Sequence, residues 1–365
     1  MKNLYDKMLY LKDFASRVKI GSVLKSDLPL FGAKENEALI DGIQEEEIKG
    51  IPILCTTKSN EKLVVKIIPI DRDTTYDNSH IEIDMLQFFT NNLLMTNVTP
   101  CFPWFLDAWI KIKTNKPCMK KIPFKKLEKL LNVQKKCNVL ICEYIKSEDT
   151  TNWILKERMK RRYLSDDIFR SLIFQVVYTL SILQEKYNFV HNDFHPGNVL
   201  IDNELTKEEG YLSFSFKGKT FYIKNFGFVA KLWDFEYAQF HEPNTVSIKN
   251  ALTSHAKEDF DPYVDIHFFL KCLLQSGMPE ETHNFIMSLY SSDLLDDDIG
   301  SSRPQTSSDD SMYASTEYLT RGQLRYGVGE KLKLTTPRDL LDNDYFKCLT
   351  KVVPENILMP LYLYE

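Results

Sequence analysis

Apolar residues recur at every third or fourth position in some stretches of this chain and cluster in short runs in others. Ile168 to Glu185 (IFRSLIFQVVYTLSILQE) and residues 262–275 (PYVDIHFFLKCLLQ) are apolar on most faces, which predicts two buried helices. Leu4, Met8, Leu11, Ala15 and Val18 repeat the spacing on a charged background and predict an amphipathic helix over residues 1–17. Residues 79–90 also read as a helix. Short runs predict strands at Ile51 to Thr57, Lys62 to Ile68, Trp104 to Ile112 and Asn138 to Ile145, and later at Val199 to Ile201 and Val229 to Trp233. Tyr211–Phe216 and Thr220–Ile223 flank Lys217-Gly218-Lys219 as a hairpin. Strands thus dominate the first 145 residues and helices the rest. The expected fold class is α+β, with a β-rich part over residues 18–145 and a larger helical part over 146–365.

Two stretches depart from these patterns. Residues 111–136 hold ten lysines and a single acid, Glu128. A solvated insert is the plainer explanation and a patch for an acidic partner the sharper one. Residues 291–316 are acidic, serine-rich and nearly without apolar side chains, so an insert without order of its own is expected there.

Over the whole chain the net charge is -5, which gives no general basic signature for nucleic acid. The seven cysteines are scattered and none forms a CxxC pair, so neither a disulfide framework nor a zinc site is indicated, and a reducing, cytoplasmic compartment fits. The N-terminal residues lack the apolar core of a signal peptide, and no run approaches the ~20 apolar residues of a membrane span.

The stretch FVHNDFHPGNVLID, residues 189–202, sets several polar groups on one turn between a helix and a strand. His191-x-Asp193 is followed by Asn198, and Asp234 ends a strand 36 residues further on. Asp193, Asn198 and Asp234 offer hard oxygen atoms suited to Mg²⁺. His191 and His195 together suggest zinc, but HNDFH lacks the glutamate of HExxH and lies at a loop. Phosphoryl transfer needs a carboxylate for the attacking hydroxyl, oxygens for the metal and a cation for the donor's phosphates. Asp193 suits the first task, Asn198 and Asp234 the second. Lys66, inside the apolar run LVVKII, suits the third, and burial there requires a partner, for which Glu82 is in range.

The order Lys66, Glu82, His191-x-Asp193-x4-Asn198, Asp234-Phe235 resembles the protein-kinase-like fold, over roughly residues 50–350. In that resemblance LVVKII stands for the VAIK strand, NVLICEYI for the hinge strand that meets adenine, HNDFHPGN for HRDLxxxxN and WDFEYA for the DFG segment. The resemblance implies a two-lobed fold, a small β-rich N-lobe and a larger α-helical C-lobe. It implies ATP and Mg²⁺ as cofactors and a protein hydroxyl as acceptor. It places Glu143 and Ile145 at the nucleotide with Lys66 and Glu82, gives Asn198 and Asp234 the metal, and makes Asp193 catalytic together with Lys66 and Asn198. Asp265 in PYVDIHFFL corresponds to the aspartate that braces the catalytic loop, and TPRDLLDNDYF to the last helix of the large lobe. HND with His195, and FGFVAKLWDFEYA, look most like serine/threonine kinases of large cytoplasmic DNA viruses, which implies the host cytoplasm or the virion.

There are departures. The family's arginine before the catalytic aspartate is Asn192 here, which argues against control by a phosphorylated loop. His195 stands for a lysine and Glu236 for the DFG glycine, and no APE triplet follows. No GxGxxG precedes Lys66. Gly21, Gly32, Gly42 and Gly50 are candidates for a degenerate phosphate loop. HND with DFEYA also resembles choline kinases and aminoglycoside phosphotransferases, which phosphorylate small alcohols. A catalytically dead scaffold is the third alternative. Oligomeric state is not legible.

Overall fold

The computed structural model describes residues 9–11, 13, 51–56, 62–70, 78–113, 136–145, 148–160, 162–203, 208–241, 260–290 and 334–365. Of the expected N-terminal helix over 1–17, residues 9–11 and 13 are described, and they are helical. Most of the basic stretch 111–136, the acidic stretch 291–316 and the four candidate glycines lie outside the described residues. The chain divides into two compact units, Met1–Val98 with Phe102–Lys146 and Thr99–Cys101 with Ser147–Glu365.

The first unit is built on four antiparallel strands: β1 (Ile51–Thr56), β2 (Lys62–Pro69), β3 (Phe105–Lys113) and β4 (Lys136–Glu143), in the order β1-β2-β4-β3. Leu63, Val64, Val65, Ile67 and Ile68 of β2 are all buried, as are all residues of β4 after Lys136. Continuous rather than alternating apolar sequence is what an inner strand covered on both faces requires. Helix α1 (Asn78–Phe89) contributes Ile81, Ile83, Met85, Leu86 and Phe89 to the same core. It runs into a π-helical turn, Thr90–Leu94, closed by the Met95 N–H on the Thr90 carbonyl at 2.9 Å. That wider turn was not legible in the sequence. Phe89 then stacks on Phe102, with ring centres 4.3 Å apart.

In the second unit Asp149 caps α2 (Thr150–Met159) by accepting the Asn152 N–H. Helix α3 (Asp166–Tyr187) begins with two aspartates, which suit its N-terminal dipole. Every residue from Phe169 to Gln184 is buried, so α3 is the axis of this unit. It stops at Asn188, which takes the left-handed conformation (φ 47°) that asparagine tolerates. The chain continues through β5 (Phe189–Val190), a one-turn 3₁₀ helix at Pro196–Asn198, β6 (Val199–Asp202), β7 (Tyr211–Phe216), β8 (Lys219–Lys224), β9 (Val229–Leu232) and β10 (Gln239–Phe240). Lys217 and Gly218, at φ 48° and 80°, make the two-residue turn between β7 and β8. β6 pairs antiparallel with β9, and β5 with β10.

Helices α4 (Val264–Leu274) and α5 (Glu280–Met287) follow. His267 of α4 is fully buried, its Nε2–H donating to the Thr335 carbonyl at 2.8 Å and its Nδ1 3.2 Å from the Tyr290 hydroxyl. Burial lowers its pKa to about 4. The predicted last helix is shorter than its sequence suggests. α6 (Pro337–Leu340) is one turn, and a 3₁₀ segment, Asp344–Thr350, replaces the rest. Asn343 interrupts them because its side chain caps the Tyr345 N–H.

One strand beyond residue 145 was not expected from the sequence. β11 (Ile357–Tyr364) pairs in parallel with β7 to make the sheet β11-β7-β8. Its sequence, ILMPLYLY, contains a proline that reads as a strand breaker. Pro360 is tolerated because β11 is an edge strand whose pairing slips between Leu358 and Tyr362.

Candidate functional site

In the first unit, Lys66 sits midway along β2 and Glu82 on α1. The Lys66 ammonium lies 2.8 Å from both carboxylate oxygens of Glu82. Glu82 is 1% exposed and Lys66 12%. Two opposite charges are thus held together where either alone would be costly. The Cys142 thiol beside them is pushed up by burial, then by the negative charge of Glu82 and Glu143. At the end of β4, the Glu143 N–H donates to the Trp104 carbonyl at 2.9 Å, and its carboxylate accepts the Trp104 N–H at 3.2 Å. Glu143 and Ile145 are both buried. The Glu143 side chain is therefore engaged within its own unit.

In the second unit, the loop after β5 is held from behind by Asp265, in the first turn of α4. One oxygen of this carboxylate accepts the His191 N–H at 2.6 Å and the other the Asn192 N–H at 3.1 Å. Asn192 has φ 66°, which turns successive amides toward one anion. The Asn192 side chain donates to the Tyr237 carbonyl at 2.9 Å, and the His191 Nε2–H to the Trp233 carbonyl at 2.9 Å. The Asn198 amide donates from Nδ2 to the Asp193 carbonyl at 2.8 Å, leaving Oδ1 as its acceptor end. The Asn198 carbonyl accepts the Trp233 N–H at 3.0 Å, one residue before Asp234. Asp234 itself has φ 65° and is followed by a tight turn in which the Ala238 N–H bonds to the Phe235 carbonyl at 3.0 Å. Asp193, Asn198 and Asp234 thus lie on two turns tied directly to each other. Phe235 is buried between Phe189 and the His191 ring.

Burial lowers the pKa of His191 to about 4, against the pull of the Trp233 carbonyl and Asp234. It also lowers that of His195, against the pull of Asp234 and Asp149. Both rings are neutral near pH 7. The holding contacts of Asn192 and of the Trp233 carbonyl were missed in the sequence. Asn192 was treated only as a lost arginine. The available signal was that asparagine is the side chain most at ease at positive φ.

The donor set fits Mg²⁺. Asn198 and Asp234 supply an amide oxygen and a carboxylate, and Mg²⁺ is bound by one or two such protein groups with the rest from phosphates and water. Among the described residues no group of three or more His, Cys, Asp or Glu side chains forms a metal cluster, and no helix is long and apolar enough to cross a membrane.

The family profile described as poxvirus serine/threonine protein kinase matches residues 126–290, from the approach to β4 through α5. Two proteins of Acanthamoeba polyphaga mimivirus named as serine/threonine-protein kinases are each 26% identical. One aligns over 169 residues, 42% of this chain and 36% of its own length, and the other over 294 residues, 65% and 72%. A Dictyostelium discoideum protein also named as such a kinase is 33% identical over 108 residues, 28% of this chain and 9% of its own length. The chain thus spans about a third of the first of these relatives. A solved structure, the granulovirus kinase PK-1 of Cydia pomonella, overlaps 61% of this chain and 59% of its own at 16% identity with a TM-score of 0.37. This α+β chain resembles the protein kinases of large DNA viruses.

Proposed function

We propose that the protein is an ATP-dependent serine/threonine protein kinase that transfers the γ-phosphate of Mg-ATP to a protein hydroxyl. The observation that carries this reading is the loop braced by Asp265, which ties Asp193 to Asn198 and Asn198 to the residue before Asp234. Asp193 accepts the proton of the attacking hydroxyl. Asn198 and Asp234 hold Mg²⁺, which when bound neutralises phosphate oxygens of the donor. Lys66, oriented by Glu82, pairs with the donor's phosphates, and the main chain at Glu143 and Ile145 meets the adenine. The enzyme works in the host cytoplasm or the virion, consistent with scattered cysteines. Asn192 is uncharged and bound to the Tyr237 carbonyl, so the enzyme works without a loop phosphate on Thr245, Ser247, Thr253 or Ser254, which lie outside the described residues.

The test is transfer of label from ATP to casein, a basic protein and choline in parallel, with Mg²⁺ and with a chelator. Metal-dependent labelling of serine or threonine in protein supports the reading. Labelling of choline alone would replace it with the small-alcohol alternative, and no labelling of any acceptor would leave the scaffold.

A further inference from the structure

The loop contains a second side chain built toward Asp193. His195 stands before the 3₁₀ turn Pro196–Asn198, and its Nδ1 accepts the Gly197 N–H at 3.0 Å. A ring nitrogen that accepts has no proton, so in the neutral imidazole the proton is on Nε2. That Nε2 lies 3.8 Å from Asp193 Oδ1. The ring lies directly on Gly197: a Cβ there would come within 2.7 Å of His195 Cε1 and 2.8 Å of Nδ1. Gly197 is not at positive φ, so glycine is needed for space and not for backbone freedom. The Phe268 ring of α4 meets the imidazole edge-on, with centres 6.3 Å apart.

We propose that His195, seated on Gly197 as the Nε2–H tautomer, is a positioning residue for Asp193; this rests on the kinase reading above. Asp193 Oδ1 is buried, while the side chain as a whole keeps 15% of its exposure. The exposed share therefore falls on the rest of the side chain. A fixed N–H dipole facing Oδ1 selects which oxygen turns inward and leaves Oδ2 for the acceptor hydroxyl. Because the ring is neutral, it orients the carboxylate without the large loss of basicity that a cation would cause. At 3.8 Å the contact is longer than a hydrogen bond, and an approach of roughly 1 Å would close it when substrate binds.

The test uses the full chain and two independent readouts. In spectra of ¹⁵N-labelled protein, His195 is assigned by its loss in His195→Gln. Its Nε2 is expected to be the protonated nitrogen and to shift in Asp193→Asn, while Gly197→Ala changes both nitrogens. In turnover, His195→Ala is expected to lower kcat roughly tenfold with KM for ATP and for the protein unchanged. His195→Gln, which keeps an N–H donor at similar reach, recovers most of it, and Gly197→Ala resembles His195→Ala. Thermal unfolding of each variant separates these effects from misfolding. A proton on Nδ1, no shift in Asp193→Asn, or a His195→Ala enzyme as fast as the parent would overturn the proposal. If the parent transfers no phosphate to any acceptor, the kinase reading fails, and the spectra still decide the His195 seat.

Discussion

The Lys66–Glu82 pair and the loop from His191 to Asn198 place charge in opposite ways. Lys66 and Glu82 project from a strand and a helix whose main-chain groups are satisfied by their own ladders. Two long side chains meet, and the backbone needs nothing from them. In the loop it is the backbone that lacks partners. Asp265, Asn192, Asn198 and His191 direct their polar atoms at main-chain groups. The difference implies that the pair fails by leaving a charge uncompensated. The loop fails by letting a chemically intact Asp193 drift.

The strongest test of this contrast is Asp193→Asn, which removes the proposed base and leaves the loop's main-chain contacts in place. Turnover is expected to fall by about 10³-fold with nucleotide affinity within roughly threefold of the parent, measured by phosphate transfer and by nucleotide titration. A matching loss of nucleotide binding would show that Asp193 also holds the loop.

Next in size is the ion pair. Lys66→Met alone removes the ammonium that meets both oxygens of the buried Glu82 carboxylate, and is expected to cost about 3–5 kcal/mol in denaturant unfolding. Adding Glu82→Leu should restore most of that stability while kcat/KM for ATP stays down by roughly 100-fold. Recovery of activity along with stability would mean that Lys66 is structural.

Asp265→Asn sharpens the other side. An amide presents one acceptor where the carboxylate presents two, so one buried N–H loses its partner at about 1–3 kcal/mol. Turnover should fall by roughly tenfold with KM for ATP unchanged, because Asp193 is still present but loosely held. Stability and rate both at parent values would remove the bracing argument.

A last test is set by pH. His267 and His191 are buried with pKa lowered to about 4. A histidine whose folded pKa lies below its unfolded value of about 6.5 stabilises the fold above that pH and loses the contribution as pH falls toward 4. Between pH 7 and pH 5 the loss is about 2 kcal/mol for each ring. His267→Gln, which can still donate to the Thr335 carbonyl and accept from Tyr290, should remove about half of that slope in urea titrations at the two pH values.

Asp193, Asn198 and Asp234 stood out as candidates because metal and base chemistry demand particular side chains at particular spacings. Lys66 and Glu82 were legible because a charge within an apolar strand must have a partner. The central helix α3 and the strands of the first unit were legible because burial writes long apolar runs. What sequence withheld was of another kind. The Trp104–Glu143 exchange and the carbonyls of Trp233 and Tyr237 act through main-chain atoms, which every residue carries alike. β11 was hidden by Pro360, whose tolerance depends on an edge position that only pairing reveals. The Gly197–His195 seat depends on a clearance of tenths of an ångström. The rest of the first unit's sheet needed only local pattern.

His267 has a topological consequence. Its two ring nitrogens meet the chain at Tyr290 and again at Thr335, so the point of departure and the point of return are stapled by one side chain. A change at His267 is therefore felt at two places far apart in the sequence, after α5 and before α6, at once.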